Sequence, residues 1–339
     1  MAGTGLVIGL LFAFLVSLLV ARLVMAAGIL DHPNARSSHS DPTPRGGGLG
    51  VLAGTMTGWA LMPVTGPAEA ASLSGIAICG LMAGGLGLLD DLFVLSERLK
   101  FLVLLALSLA IAAMAGPVVT VGLGDWPWWL GLAGSALFVF TTVNAVNFMD
   151  GSDGLILACL VPACLVLGIL AGSPAPWILA AALAGLAVWN APVLRERGRL
   201  FGGDVGALGA AMLLAGLALD WSAGAGGGSA WLAALLVLPL LGDVLLTMGA
   251  RVKAGRSPFL AHRAHAYQLL IRTGASHRTV ALVWGGMSVA AGALALIATA
   301  LPVAGQIAVF VFAVLVFAGI HNRLPARPRT HPDDLHHYT

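Results

Sequence analysis

The sequence predicts an all-α, polytopic membrane protein with about eleven transmembrane helices. Three observations support this fold class. Hydrophobic residues make up 59% of the 339 residues and charged residues only 9%, whereas about 25% of an average soluble domain is charged. The mean hydropathy is +0.95. Apolar runs of roughly 20 residues, the length that a spanning helix needs, recur along the chain. This composition excludes a soluble globular enzyme, a disordered chain and a basic nucleic-acid-binding protein, so no nucleic acid is expected as a partner.

The apolar runs follow one another in order along the chain. Their approximate limits are 4–27, 47–66, 71–89, 101–120, 128–146, 154–172, 175–194, 205–221, 230–249, 279–299 and 302–320. No basic residue precedes the first run, which is unlike a cleaved signal peptide. We therefore expect a single integral membrane domain over residues 1–321 and a cytoplasmic tail over residues 322–339.

The basic residues are predicted to lie on one side of the membrane. With eleven spans, each of the 17 Lys and Arg falls at or near a loop on one face. The connections on the other face carry only Glu69, Asp125 and Asp220. Lys and Arg are enriched in cytoplasmic loops. The N-terminus is therefore predicted to be outside and the C-terminus cytoplasmic.

The first cytoplasmic loop, residues 31–48, contains Arg36 and Arg45 and ends in three glycines. Its prolines are expected to keep it out of a helix. Backbone N–H groups of the glycines, at the start of the second helix and beside Arg45, would suit an anion. The alternative is a polar hinge between two helices.

The second cytoplasmic segment holds the adjacent acids Asp90 and Asp91, followed by Glu97 and Lys100. Two neighbouring carboxylates at a membrane boundary are costly unless something neutralises them. Mg²⁺ can do so, because it takes one or two carboxylates together with substrate phosphates. The alternative is a solvated helix end with ordinary acids.

The third segment places Asn147, Asp150 and Asp153 at intervals of three residues. If the segment is helical, these side chains share one face. If it is not, Gly151 and Gly154 could let the backbone approach a ligand closely. Polar groups at such a membrane boundary are usually functional.

The fourth segment carries Arg195, Arg197 and Arg199 before Asp204, which opens the eighth run. Asp204 is a candidate metal ligand. The arginines could bind phosphate with two hydrogen bonds each, or they could contact anionic lipid head groups.

The last cytoplasmic loop contains His262, Arg263 and His265. A zinc site would need a further protein ligand, and none is apparent in the sequence. We interpret the segment as a lid that binds the phosphates or the sugar of a substrate. A basic amphipathic segment lying on the membrane is the alternative.

These segments together indicate metal-assisted phosphoryl transfer at a membrane surface. A bound metal would neutralise a diphosphate, and Arg or Lys would stabilise the developing charge. A transporter should instead place polar groups near the bilayer midplane, whereas the ionisable residues here cluster at one face. Two alternatives stay open, a lipid-linked sugar transporter without phosphotransfer activity and a membrane scaffold without turnover.

The motifs resemble those of the polyprenyl-phosphate N-acetylhexosamine-1-phosphate transferases of glycosyltransferase family 4. This superfamily includes the phospho-N-acetylmuramoyl-pentapeptide transferases. The similarity covers roughly residues 28–268. The matching elements are Pro33-Asn-x-Arg36-Ser, Pro44-Arg-Gly-Gly-Gly48, Asp90-Asp91 with Leu95 and Lys100, Asn144-x-x-Asn147-x-x-Asp150-Gly-x-Asp153-Gly154 and Gly203-Asp204-x-Gly206.

The resemblance implies a multi-pass enzyme of the bacterial cytoplasmic (inner) membrane with its active site on the cytoplasmic face. It implies transfer of an N-acetylated sugar-1-phosphate from a UDP-sugar to undecaprenyl phosphate, with release of UMP. Mg²⁺ is the implied cofactor, with Mn²⁺ as the alternative ion. Membrane lipids are further expected partners, and a homodimer is compatible with the sequence.

The resemblance also implies roles for individual residues. The metal ligands would be Asp204 and Asp150. The catalytic set would be Asp90, Asp91, Asp150, Asp153 and Lys100, and the substrate-binding set Asn147, Arg36, Arg45, His262, Arg263 and His265. Family members that transfer N-acetylglucosamine phosphate resemble His-x-His-His in the last loop, where this chain has Ala-His-Arg-Ala-His. This departure favours the subgroup that initiates O-antigen or other surface-polysaccharide units.

Overall fold

The computed structural model describes residues 2–28, 30–31, 43–62, 64, 66–122, 124–192, 197–224, 228–257 and 262–324. Arg36 and Arg195 lie outside the described residues. The described helices are α1 (Ala2–Ala27), α2 (Gly48–Leu61), α3 (Pro67–Phe93), α4 (Glu97–Ala115), α5 (Trp128–Met149), α6 (Leu155–Ala171), α7 (Ala175–Asn190), α8 (Gly203–Ala223), α9 (Ala230–Lys253), α10 (Ala266–Arg272), α11 (His277–Ala298) and α12 (Val303–Arg323).

Each predicted apolar run corresponds to one helix, but not every helix has the predicted length. Eight of the described helices are long and apolar enough to cross a membrane: α1, α3, α4, α5, α8, α9, α11 and α12. The helices α2, α6 and α7 contain only 14, 17 and 16 residues. A helix of 14 residues is about 21 Å long, which is less than the hydrocarbon thickness of about 30 Å. By length and composition the protein is thus a polytopic helical membrane protein, with fewer full-length spans than the prediction of eleven.

Two small elements were not predicted from the sequence. Strand β1 (Leu30–Asp31) pairs antiparallel with β2 (Thr43–Pro44) and so joins the two ends of the first loop. The short helix α10 follows directly after His265. The fold is therefore helical apart from one minimal strand pair and an isolated β-bridge among the described residues.

Helix α8 forms the centre of the helix bundle and is buried without interruption from Val205 to Leu219. Glycines allow its neighbours to approach its N-terminal end. A Cβ atom at Gly48 of α2 would collide with Gly206, and one at Gly87 of α3 would collide with the backbone of Asp204. These close approaches bring the end of α3 and the start of α2 against the start of α8.

The described Lys and Arg residues lie at one end of the bundle, which we call the basic end. The starts of α2, α4, α8 and α11 and the ends of α1, α3, α5, α9 and α12 lie there. At the opposite end, Ser72 Oγ donates a hydrogen bond to Asp220 Oδ1 (2.5 Å) and Trp231 Nε1 donates one to the carbonyl of Val121 (3.1 Å). The polar chemistry predicted from the sequence is therefore concentrated at one end.

Candidate active site

Asp91 connects the end of α3 to the start of α8. Its Oδ1 accepts the backbone N–H of Asp204 (3.3 Å) and its Oδ2 that of Val205 (3.4 Å). The first N–H groups of a helix have no acceptor within the helix, and a negative charge is favourable beside them. Gly203 has φ +71°, and a Cβ there would lie 2.6 Å from Asp91 Oδ2. Glycine thus allows the Asp91 carboxylate to reach the α8 terminus.

Asp90 and Lys100 form a close ion pair beside Asp204. Lys100 Nζ lies 2.8 Å from Asp90 Oδ2, and the backbone N–H of Leu95 donates to Asp90 Oδ1 (2.7 Å). The carboxyl groups of Asp90 and Asp204 are also within hydrogen-bonding reach of each other. Val94, with φ +51°, turns the chain between α3 and α4. The turn brings Lys100 back onto the carboxylates that precede it.

Asp150 lies at the C-terminal cap of α5 and faces the same cluster. Its Oδ2 lies close to Gly202, just before α8. Burial, together with the nearby charges of Asp91 and Asp153, raises the pKa of Asp150 to about 7. A carboxyl group whose charged form is disfavoured in this way is stabilised when a cation binds beside it.

Among the residues that the structure describes, the acidic side chains of this cluster outnumber the basic ones. Four carboxylates, those of Asp90, Asp91, Asp150 and Asp204, face two cations. These are Lys100 and Arg45, whose Nη1 lies 3.7 Å from Asp91 Oδ1.

Within the described ranges, no group of three or more His, Cys, Asp or Glu side chains is arranged so that it could hold a metal ion by itself. Mg²⁺ does not require one, because it keeps waters and takes substrate phosphates as ligands. The excess of acidic groups, which can release protons as a cation binds, therefore fits a divalent cation that is bound together with a phosphate substrate.

The segment after α5 is a turn and not a continued helix. The backbone N–H of Asp150 donates to the carbonyl of Asn147 (3.2 Å), where the helix ends. Asn147, Asp150 and Asp153 therefore do not share one helical face, and of the two conformations considered above the glycine-containing turn is present. The helical pattern ends because Gly151 and Gly154 follow, and Gly154 has φ +74°.

Asp153 lies in a separate set of contacts. It is 1% exposed, its Oδ2 accepts the backbone N–H of Gly198 (2.9 Å), and it lies 3.8 Å from His277 Nδ1. Asn190 holds the same turn by accepting the N–H of Gly154 (2.9 Å). These contacts tie the turn to the segment after α7 and to the start of α11. The assignment of Asp153 as a catalytic residue stays a prediction. Its contacts are those of a residue that positions the turn containing Asp150.

The three predicted residues of the last loop differ in exposure. Arg263 is exposed and His262 is half-buried, whereas His265 is 4% exposed. The rings of His262 and His265 lie 4.9 Å apart. Tyr267 Oη donates to the carbonyl of Phe148 (3.3 Å), which places this loop beside the end of α5. Burial and the charges of Asp243 and Asp150 raise the pKa of Tyr267, so its phenol remains a neutral donor.

Two buried residues of this region received no role from the sequence. Asp243 of α9 is fully buried and contacts both His265 (3.4 Å) and His321 of α12 (3.5 Å). The available signal was that Asp243 is the one acid well inside an apolar run. His321 gave no signal, because its partner lies far away in sequence.

Comparisons with known proteins converge on one group. The family model described as glycosyl transferase family 4 matches residues 73–222. The chain is 30% identical over 335 residues to an undecaprenyl-phosphate alpha-N-acetylglucosaminyl 1-phosphate transferase of Yersinia pestis, covering 91% of this chain and 89% of that protein. It is 28% identical over 313 residues to a decaprenyl-phosphate N-acetylglucosaminephosphotransferase of Mycobacterium leprae, covering 80% and 77%.

Proposed function

The chain belongs to the polyprenyl-phosphate N-acetylhexosamine-1-phosphate transferases of glycosyl transferase family 4, and on this premise we propose its reaction. It transfers an N-acetylated sugar-1-phosphate from a UDP-sugar to undecaprenyl phosphate and releases UMP. The single observation that carries the proposal is the convergence of Asp90, Asp91, Asp150 and Asp204 with Lys100 at one end of the bundle.

The proposed orientation places the basic end in the cytoplasm of a bacterium, under the inner membrane. Lys and Arg favour the cytoplasmic side, and the described ones lie at this end. The short helices α2, α6 and α7 would complete eleven crossings, with the N-terminus outside and the C-terminus inside. A water-soluble nucleotide sugar would then meet the phosphate of a membrane lipid at the acidic cluster.

The proposed chemistry is a direct in-line displacement. An oxygen of the lipid phosphate forms a bond to the phosphorus that bears the sugar. The anhydride bond between that phosphorus and the other phosphorus breaks, and its bridging oxygen leaves with UMP. The attacking oxygen is already anionic at neutral pH, so little proton removal is needed.

Asp90 can orient the acceptor or accept a residual proton, and Lys100, 2.8 Å from Asp90, can stabilise charge on the phosphates. Asp204 and Asp150 would hold Mg²⁺, or Mn²⁺ in its place. When bound, that cation neutralises the diphosphate and the leaving group.

The donor would be held by the segments around the cluster. Asn147 and Asp150 lie at the end of α5, and Tyr267 ties the last loop to the same place. Arg263 and His262 would bind the phosphates or the sugar, and Arg45, whose Nη1 lies 3.7 Å from Asp91 Oδ1, would bind a phosphate as well. The departure from His-x-His-His in this loop supports a donor used to initiate a surface polysaccharide.

The test is a turnover assay with the purified protein. We expect UMP release only when undecaprenyl phosphate, Mg²⁺ and one member of a panel of UDP-N-acetyl sugars are all present. EDTA should abolish the release, and added Mg²⁺ should restore it. No UMP release with any sugar would overturn the proposal, and flux of a lipid-linked sugar without UMP release would favour the transporter instead.

Isotope exchange tests the single-step mechanism. A direct displacement requires undecaprenyl phosphate for labelled UMP to enter UDP-sugar, because the exchange passes through the lipid product. Exchange without the lipid, together with a trapped phosphorylated aspartate, would show a two-step route instead.

A further inference from the structure

We propose that Asp243, His265 and His321 form a buried latch that positions the segment 262–268 for donor recognition. The inference rests on the proposed function and adds to it a set of positioning residues. It also gives the last helix, α12, a part in substrate binding. No residue of the latch needs to touch the substrate.

Asp243 is the centre of the latch. It is fully buried in α9, and its Oδ1 accepts the backbone N–H of Ala266 (3.1 Å) and the hydroxyl of Thr247 (3.1 Å). His265 Nδ1 lies 3.4 Å from the same oxygen. Through one carboxylate oxygen, Asp243 thus holds His265 and the start of α10 against α9.

His321 closes the latch from α12. Its side chain is 8% exposed, and its Nε2 lies 3.5 Å from Asp243 Oδ1. Within the described residues, Asp243 Oδ2, His265 Nδ1 and both ring nitrogens of His321 are buried without a hydrogen-bond partner, so the two imidazoles contact Asp243 at 3.4–3.5 Å without a formed hydrogen bond. A buried carboxylate that loses a nearby partner is strongly destabilised. Removal of either imidazole should therefore loosen the carboxylate and the loop that it holds.

The latch fixes the loop on both sides of Arg263. Beyond His265, the side chain of Gln268 accepts the backbone N–H of His265 (3.3 Å). Tyr267 then donates to the carbonyl of Phe148, which lies two residues before Asp150 of the acidic cluster. Before it, the rings of His262 and His265 are in contact. The latch thus sets the distance between the exposed Arg263 and the acidic cluster.

Because the latch is buried, a substitution in it should act on the substrate only through the loop that it positions. Asp243 and His265 present almost no surface on which a nucleotide sugar could rest. A misplaced donor-binding loop weakens donor binding, whereas Asp90, Asp204 and Lys100 keep their own contacts. The effect should therefore appear in the KM for the UDP-sugar more than in kcat or in the KM for the lipid phosphate.

Asp243→Ala and His321→Ala are the test variants, and Asp220→Asn at the opposite end of the bundle is the control. We expect each test variant to raise the KM for the UDP-sugar about tenfold, as a small displacement of a binding group can. The KM for undecaprenyl phosphate should stay within about twofold, and Asp220→Asn should leave both constants unchanged. Asp243→Asn should be the milder variant, because its amide oxygen can still accept from Ala266 and Thr247.

Trypsin cleavage after Arg263 provides a readout that does not depend on turnover. Cleavage of a native segment follows the population of its open form. We expect cleavage at Arg263 to be at least about fivefold faster in Asp243→Ala and His321→Ala, with cleavage after Arg98 of α4 unchanged. If cleavage after Arg98 also accelerates in the alanine variants, Asp243→Asn replaces them in both measurements.

The outcomes separate the latch from the proposed function. Faster cleavage at Arg263 supports the latch even if the wild-type protein releases no UMP, a result that would overturn only the proposed reaction. An unchanged donor KM in an active enzyme, or an unchanged cleavage rate at Arg263 in Asp243→Ala and His321→Ala, would overturn the latch.

Discussion

Helix α8 carries an aspartate near each end, and the two lie in different surroundings. Asp204, in its first turn, lies beside the carboxyl of Asp90 and the ammonium of Lys100. Asp220, near its last turn, accepts a hydrogen bond from Ser72. The two aspartates are 16 positions apart in the sequence, which corresponds to about 24 Å of helix.

The difference lies in which segments meet at each end. At the basic end, glycines let α2 and α3 touch α8, and residues from several elements converge there. At the opposite end, one hydroxyl satisfies one acid. We therefore expect the role of an aspartate to depend on the residues around it more than on its position at a helix end.

Replacing Asp204 or Asp220 by asparagine should give the largest difference in UMP release between the two ends of α8. Asp204→Asn should reduce UMP release about 10³-fold, because a proposed metal ligand and a charge of the cluster are lost. Asp220→Asn should change it less than about twofold, since an amide can still accept from Ser72. Comparable losses in both variants, with both proteins folded, would contradict the comparison.

The two lysines of the chain should give the next largest difference in turnover when each is replaced by glutamine. Lys100→Gln should lower turnover about 10²-fold, because a cation that faces the phosphates and Asp90 is removed. Lys253, exposed in the last turn of α9, should tolerate the same change. The check is steady-state UMP release, and equal rates for Lys100→Gln and the wild type would remove Lys100 from the mechanism.

Gly87 and Gly85 of α3 test whether close packing of α3 against α8 is needed to position the residues of the basic end. Gly87→Ala should destabilise the protein by about 1–3 kcal/mol, the usual cost of overpacking, and should reduce turnover by displacing Asp204. Gly85 has open space at its Cβ position, so Gly85→Ala should be neutral or slightly stabilising. Thermal unfolding in detergent measures both, and the account fails here if the two variants unfold at the same temperature.

A substitution at the opposite end of the bundle should have the smallest effect on stability and turnover. Ser72→Ala removes the hydrogen bond to Asp220 and should cost about 1 kcal/mol of stability. UMP release should be unaffected. A loss of turnover without a loss of stability would show that the opposite end contributes to the reaction.

Sequence patterns could predict most of the basic end but not its internal contacts. Hydropathy located each described helix except α10, and motif resemblance selected Asp90, Asp150, Asp204 and Lys100, which lie together in the fold. The length of α2 was overestimated because apolar residues continue past its end, where Met62 is extended and Pro63 follows. A proline cannot continue the backbone ladder and restricts the residue before it.

Contacts between distant helices were beyond the reach of local patterns. Asp243 stood out as an acid in an apolar run, but its pairing with His321 depends on how α12 packs against α9. Asp153 was predicted to be catalytic, and the local spacing does not show that Gly198 and His277 would surround it.

Divalent-cation binding at the basic end is tested most directly by electron paramagnetic resonance of Mn²⁺, with UDP present, on the wild type, Asp204→Asn and Asp220→Asn. We expect one bound ion in the wild type and in Asp220→Asn, and binding at least about tenfold weaker in Asp204→Asn. Equal Mn²⁺ binding by all three proteins would contradict the claim that the carboxylates of the basic end hold the divalent cation.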